Sequence, residues 1–144
     1  MNKLIILIFG LICASVQAQD NGSLLVIQNA HQAALVLSGK GGTVSPETAE
    51  ALVSEKQAII IDVREVNEWK QKHIPGAVNI PFGQLNSRLE ELEQYKQTAI
   101  ITQCHSGKRS KQALDALKLA GFTSVYSLEG GLIAWDKAGL KTIQ

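Results

Sequence analysis

The run Ala58-Ile59-Ile60-Ile61 constrains this chain more than any other feature. A strand with one face in water alternates apolar and polar residues, whereas an unbroken apolar run marks a strand buried on both faces. Three further segments read as strands: Ala77-Val78-Asn79-Ile80, Ala99-Ile100-Ile101-Thr102 and Ser124-Val125-Tyr126-Ser127. Helical patterns separate them. One opens at Ser45-Pro46-Glu47, where Ser caps and Pro sacrifices no needed N–H, and turns Ala49, Leu52 and Val53 inward. A short helix is expected over 65–71, with Val66 and Trp69 inward, before the turn His73-Ile74-Pro75-Gly76. Leu85, Leu89 and Leu92 are spaced i, i+4, i+7 and predict an amphipathic helix over 84–95, with Glu90, Glu91 and Glu93 on its solvated side. From Ser110, the residues Ala113, Leu114, Leu117 and Ala120 mark another helix, ended by Gly121. Gly130-Gly131 is a turn, and residues 132–138 form a closing helix. Short apolar strands alternating with amphipathic helices imply an α/β fold, a parallel sheet covered by helices on both faces.

At 144 residues the chain is one domain, and 45% hydrophobic with 19% charged residues is enough to bury a core. Fourteen Lys and Arg against thirteen Asp and Glu leave a net charge of +1. That balance offers no global attraction to nucleic acid or to an anionic membrane. Aromatic residues at 5% are too few for a single-strand stacking platform. Two cysteines, Cys13 and Cys104, can build neither a disulfide framework nor a four-cysteine zinc site.

The first eighteen residues follow the secretory pattern. Met1-Asn2-Lys3 carries a positive charge, residues 4–12 are almost wholly apolar, and Val16-Gln17-Ala18 places small residues where a signal peptidase reads them. The apolar stretch is about half of the roughly 20 residues that a membrane-spanning helix needs. The expectation is a signal peptide over 1–18 cut after Ala18, export to the periplasm or the medium, and no membrane span once it is removed. Ile12, before Cys13, is not the small residue that a lipoprotein signal requires. Removal leaves Cys104 as the one cysteine. Residues 19–42 form an N-terminal extension: Leu24, Ile27, Ala34 and Leu35 fall on one helical face, and Gly39-Lys40-Gly41-Gly42 reads as a flexible joint. His31, within it, has no visible partner and is assigned no role.

Cys104 lies just past the third strand, and in open parallel sheets ligands bind beyond the carboxyl ends of the strands. Six residues follow before or at the start of a helix: His105, Ser106, Gly107, Lys108, Arg109 and Ser110. A loop wrapped ahead of a helix N-terminus points several backbone N–H groups at one spot. Gly107 permits a tight turn, and Lys108 and Arg109 add positive charge. All of this favours a thiolate on Cys104 and an anionic substrate beside it.

The segment Cys104-His105-Ser106-Gly107-Lys108-Arg109-Ser110 resembles the active-site loop of rhodanese-type sulfurtransferases, Cys-x-x-Gly-x-Arg-Ser. Two more segments agree with it, in the family's order. Ile61-Asp62-Val63-Arg64 with Glu68-Trp69 and His73-Ile74-Pro75-Gly76-Ala77-Val78-Asn79-Ile80-Pro81 is similar to the family's first signature. Residues 128–135 and Ala138-Gly139-Leu140 resemble its last. Lys72 stands where the family often has Gly, and Lys141 where it often has Pro, both peripheral to Cys104. The resemblance implies a rhodanese domain over 43–144 with five parallel strands. It implies Cys104 as the nucleophile that carries a persulfide, with no cofactor and no metal. His105, Ser106, Gly107, Lys108 and Arg109 are the candidate substrate-binding residues. The partners implied are a small anionic sulfur donor and a thiol or cyanide acceptor.

The remaining signature residues read as scaffold. Asp62 and Arg64 form a pairing that pins the strand end to Glu68, Trp135 belongs to the core, and His73 holds a turn. Arg109 has a second reading, facing the protein and bracing the loop. Phosphatase and arsenate-reductase loops place Arg after five intervening residues, whereas only His105, Ser106, Gly107 and Lys108 intervene here. The shorter loop is too tight for a tetrahedral phosphate. The alternative to a free-standing enzyme is a sulfur-carrier module that hands persulfide sulfur between protein partners.

Overall fold

The computed structural model describes residues 41–144. The signal peptide, Cys13, His31 and the helical face of Leu24, Ile27, Ala34 and Leu35 lie outside the described residues. Five strands form one sheet: β1 (Gly42–Val44), β2 (Ala58–Asp62), β3 (Val78–Asn79), β4 (Ala99–Gln103) and β5 (Val125–Leu128). Their spatial order is β1-β5-β4-β2-β3, and every pairing is parallel. The register sets Ile60 beside Ile101 and Asp62 beside Gln103. The helices are α1 (Pro46–Ser54), α2 (Val66–Gln71), α3 (Leu89–Leu92), α4 (Lys108–Leu119) and α5 (Gly131–Lys137).

The apolar runs divide between two cores because successive strand side chains point to opposite faces. Ile60, Ile101, Tyr126 and Leu128 pack with Ala49 and Leu52 of α1 and Leu132 and Trp135 of α5. Ile61, Ile100 and Val125 pack on the other side with Ala113, Leu114 and Leu117 of α4. Cys104 belongs to this second core. Trp135 is buried as expected, and its Nε1 donates to the Lys141 carbonyl at 3.0 Å.

The start of α1 follows its sequence signal. Ser45 caps α1, its Oγ accepting from the Thr48 N–H at 3.2 Å, with Pro46 in the first turn. Three elements differ from expectation. The strand β1 begins at Gly42, inside the stretch that reads as a joint; its register on Tyr126, Ser127 and Leu128 comes from tertiary pairing, and three residues beginning with Gly carry no local strand signal. The helix expected over 84–95 is instead a broken coil. It runs through 3₁₀ turns at Phe82–Gln84 and Asn86–Arg88, the single α turn α3, and a 3₁₀ turn at Glu93–Tyr95. Arg88, at φ −117°, interrupts the helical run. Leu85 and Leu92 are nonetheless buried, so the apolar stripe is used without the continuous helix. Finally, α4 starts at Lys108 rather than Ser110, which puts Lys108 and Arg109 in its first turn.

Strand order reverses between β2 and β4: the chain leaves β2 for β3 on one side and leaves β4 for β5 on the other. Such a switch point opens a crevice at the carboxyl ends of the strands. Cys104 follows β4 there.

Candidate active site

The central strand β4 is buried along its whole length and delivers Cys104 to the sheet edge with only 1% of the residue exposed. The chain then turns back on itself. Gly107 adopts φ +95°, a left-handed conformation that side chains disfavour, and starts α4. The turn closes around the sulfur. The Gly107 N–H donates to Sγ at 3.1 Å and the Ser110 N–H at 3.4 Å, with the Ser110 hydroxyl at 3.7 Å.

The start of α5 supports this loop from behind. The Leu132 N–H donates to the Cys104 carbonyl at 2.8 Å and the Ile133 N–H to the His105 carbonyl at 3.1 Å. This close approach demands Gly131: at φ +60°, a Cβ there would meet the Cys104 carbonyl and stand 2.7 Å from the His105 carbonyl carbon. The Gln103 side-chain amide also donates to the Cys104 carbonyl, at 2.6 Å.

The electrostatics of Cys104 set two effects against each other. Burial pushes the thiol up. The Ser110 N–H, the Ser110 hydroxyl and the N–H groups of Gly107 and Ser106 pull it down, and together they win, leaving the thiol below the ordinary cysteine value. A thiolate held by several donors is the more nucleophilic form at neutral pH. Backbone amides and one hydroxyl therefore lead the activation that the sequence shared with Lys108 and Arg109.

Arg109 turns toward the protein. Its guanidinium forms a bidentate pair with Glu68 of α2, at 2.7 Å and 2.8 Å. The Arg109 hydrogen bond chiefly holds the Glu68 carboxyl down to about 2; burial opposes this, and the Glu65 N–H and the charges of Arg109 and Arg64 assist. Arg109 thus occupies its bracing role, although its charge still couples to that of Cys104. Glu68 is the arginine's partner here, a role absent from the sequence expectation.

The other loop residues face two separate hollows. His105 lines one with Arg64, Glu68, Lys72, Leu132 and Asp136. Ser106, Gly107 and Lys108 line the other with Thr43, Lys111 and Glu129. A second pair stays outside the sulfur cradle. Arg64 is bound to Asp62 through Nε at 3.0 Å and donates to the Lys72 carbonyl at 2.8 Å. It also reaches the Glu68 backbone carbonyl at 3.5 Å, so the strand end is pinned to the main chain of Glu68 rather than to its carboxylate. His73 stacks on Trp69 with ring centroids 3.9 Å apart and sets Nδ1 at 2.9 Å from the Trp69 carbonyl. Its backbone pairs with Ile143, so it secures the C-terminal end. Among the described residues, no group of three His, Cys, Asp or Glu side chains is arranged to hold a metal ion, and no helix is long and apolar enough to cross a membrane.

A family model described as a rhodanese-like domain matches residues 45–138. The chain is 36% identical over 108 residues to a putative sulfur carrier protein of Bacillus subtilis, covering 67% of this chain and 57% of that one. It therefore spans little more than half the length of that relative. A sulfurtransferase of Allochromatium vinosum is 31% identical over 99 residues, covering 69% of this chain and 91% of its own length. Among solved structures, a thiosulfate sulfurtransferase from Pseudomonas aeruginosa superposes with a TM-score of 0.66 at 27% identity, covering 81% of this chain and 22% of that one.

Proposed function

The chain belongs to the rhodanese-like sulfurtransferase family, and on that premise we propose that it moves a sulfane sulfur from thiosulfate, or a similar small anionic donor, to a thiol or cyanide through a persulfide on Cys104. The observation that carries this reading is the sulfur cradle, in which two backbone N–H groups and a hydroxyl converge on Sγ. The thiolate attacks the outer sulfur of thiosulfate. That sulfur–sulfur bond breaks, its electron pair leaves with sulfite, and the negative charge passes to the new outer sulfur on Cys104. The acceptor then attacks the outer sulfur, and Cys104 leaves as thiolate. This is two-step covalent catalysis with ping-pong kinetics. The donor approaches over Ser106, Gly107 and Lys108, or past His105, which line the two hollows beside the loop.

Sulfur relay between proteins is the second reading, favoured by the likeness to a relative named as a putative sulfur carrier. Export through a cleaved signal peptide, with the mature chain starting at Gln19, rests on the pattern in residues 1–18. The intact mass of exported protein decides that point, and a species that keeps residues 1–18 removes it.

The wild-type protein treated with thiosulfate is expected to gain the mass of one sulfur atom and to lose it to cyanide. Cys104→Ser is expected to fold and gain nothing. Sulfur transfer by the Cys104→Ser protein, or no uptake by wild type from any sulfane donor, overturns the proposal. Rapid turnover with cyanide selects the free-standing enzyme. Slow turnover, together with sulfur capture from a protein persulfide, selects the relay.

A further inference from the structure

Behind the cradle lies a hydroxyl with no part in the contacts to Sγ. Ser127, on β5, is 1% exposed, and its Oγ stands 2.9 Å from that of Ser110. Among the described residues this is the one hydrogen bond of its hydroxyl. The Ser110 hydroxyl has two other neighbours, the Gly107 carbonyl, to which it donates at 3.0 Å, and Sγ at 3.7 Å, whose thiol form donates to it. The Ser110 backbone is held in turn by Thr102, whose hydroxyl is shared between the Ser110 carbonyl at 2.8 Å and the Tyr126 carbonyl at 3.0 Å.

Each hydroxyl has one proton to give. Were Ser110 to donate to Ser127, the proton of Ser127 would be buried without an acceptor and the Gly107 carbonyl would lose its Ser110 partner. Buried polar groups are paired in native proteins. The arrangement that satisfies both hydroxyls has Ser127 donating and Ser110 accepting. We infer that Ser127 is a positioning residue, which by donating to Ser110 keeps the Ser110 proton on the side of the Gly107 carbonyl and the sulfur. The effect has a definite sign. A hydroxyl has two lone pairs; with one filled by Ser127, the Ser110 oxygen keeps a single site for the S–H of the thiol, and its own proton is free to swing from the Gly107 carbonyl, which also accepts from the Lys111 N–H, to a thiolate. Hydrogen bonds in a chain also polarise one another, strengthening that donation. Without Ser127, the Ser110 proton is no longer held on the sulfur side and both lone pairs lie open to the thiol proton, so the un-ionised form gains.

This inference rests on Cys104 as the reactive thiol of the proposed function, so its test avoids sulfur transfer. The rate of alkylation by iodoacetamide is followed on the Cys104 peptide as a function of pH, in the full chain. In Ser127→Ala the inflection is expected to move up by about half a pH unit, the share of one modest hydrogen bond. Ser127→Thr keeps the hydroxyl and is expected to restore the wild-type profile, while Ser127→Val, its isostere, behaves as the alanine variant. The Thr and Val pair carries the comparison if the alanine protein does not fold. On a Ser110→Ala background, Ser127→Ala is expected to add nothing. The titratable and charged groups around the loop are Arg109 with Glu68, Arg64 with Asp62, Lys72 with Asp136, His105, Lys108, Lys111 and, from the turn after β5, Glu129. They are common to every variant and cancel in the comparison. An unmoved inflection in a folded Ala or Val variant, or equal shifts in Thr and Val, overturns the inference. Sulfur uptake is scored separately: its absence in wild type removes the proposed function and leaves the alkylation result standing.

Discussion

Two arginine–carboxylate pairs flank the site, and they differ in burial and in span. Asp62 and Arg64 are 0% and 3% exposed and lie two residues apart in the chain. Glu68 and Arg109 are each 33% exposed and lie 41 residues apart. The first pair ends β2. Its members are further tied by the Arg64 N–H to Asp62 and by Arg64 to the Lys72 carbonyl. The Asn79 amide holds the neighbouring carbonyls of Asp62 and Arg64, each at 2.9 Å. Taking two charges out of water costs several kcal/mol per ion, and only such complete hydrogen bonding offsets it. The second pair keeps contact with solvent, avoids most of that penalty and contributes little to folding. What it does is join α2 to the first turn of α4, one residue before the N–H and hydroxyl that hold the sulfur. Burial makes the first pair structural; sequence separation gives the second its hold over the loop.

The largest effect tests the buried pair. Asp62→Ala leaves the Arg64 charge without its carboxylate and is expected to destabilise the fold by about 3–5 kcal/mol. Urea unfolding measures it, and a loss below about 1 kcal/mol, the range of surface pairs, would erase the distinction.

Glu68→Gln sharpens the other side. Stability is expected to change by less than about 1 kcal/mol. Sulfur-transfer kcat/KM is expected to fall on the order of tenfold as Arg109 and the Ser110 donors lose their fixed position. A large stability loss with unchanged turnover would make the two pairs equivalent. Acid separates them again. The Glu68 carboxyl sits near 2 in the folded protein against 4.5 ordinarily. Its contribution to stability is therefore full above about pH 4.5 and is lost as pH falls toward 2. The stability gap between wild type and Glu68→Gln should close across that window. A gap that survives below pH 2 would mean that the charge of Glu68 is not its source.

The sequence made the sheet legible because Ala58-Ile59-Ile60-Ile61 and Ala99-Ile100-Ile101-Thr102 are buried on both faces and leave no alternative period. It made Cys104 legible because its loop joins a strand end to a helix start. The strand β1 was not legible, since its partner β5 lies more than eighty residues along the chain. Nor was Ser127, an ordinary serine in a strand until the pairing of β4 and β5 sets it beside Ser110. Lys108 and Arg109 read as a doublet of like charges. One step of about 100° around the helix separates their fates, sending Arg109 to Glu68 and leaving Lys108 on the wall of a hollow.

Because the groups nearest the sulfur are mostly peptide N–H donors, the loop has unusual mutational latitude. Any residue but proline at 105, 106 or 108 supplies the same backbone, so these positions are free to change without dismantling the cradle. Gly107 and Gly131 lack that freedom, fixed by positive φ and, at Gly131, by the carbonyls it abuts. Descendants of such a chain can vary which molecules reach the sulfur while inheriting the means of holding it.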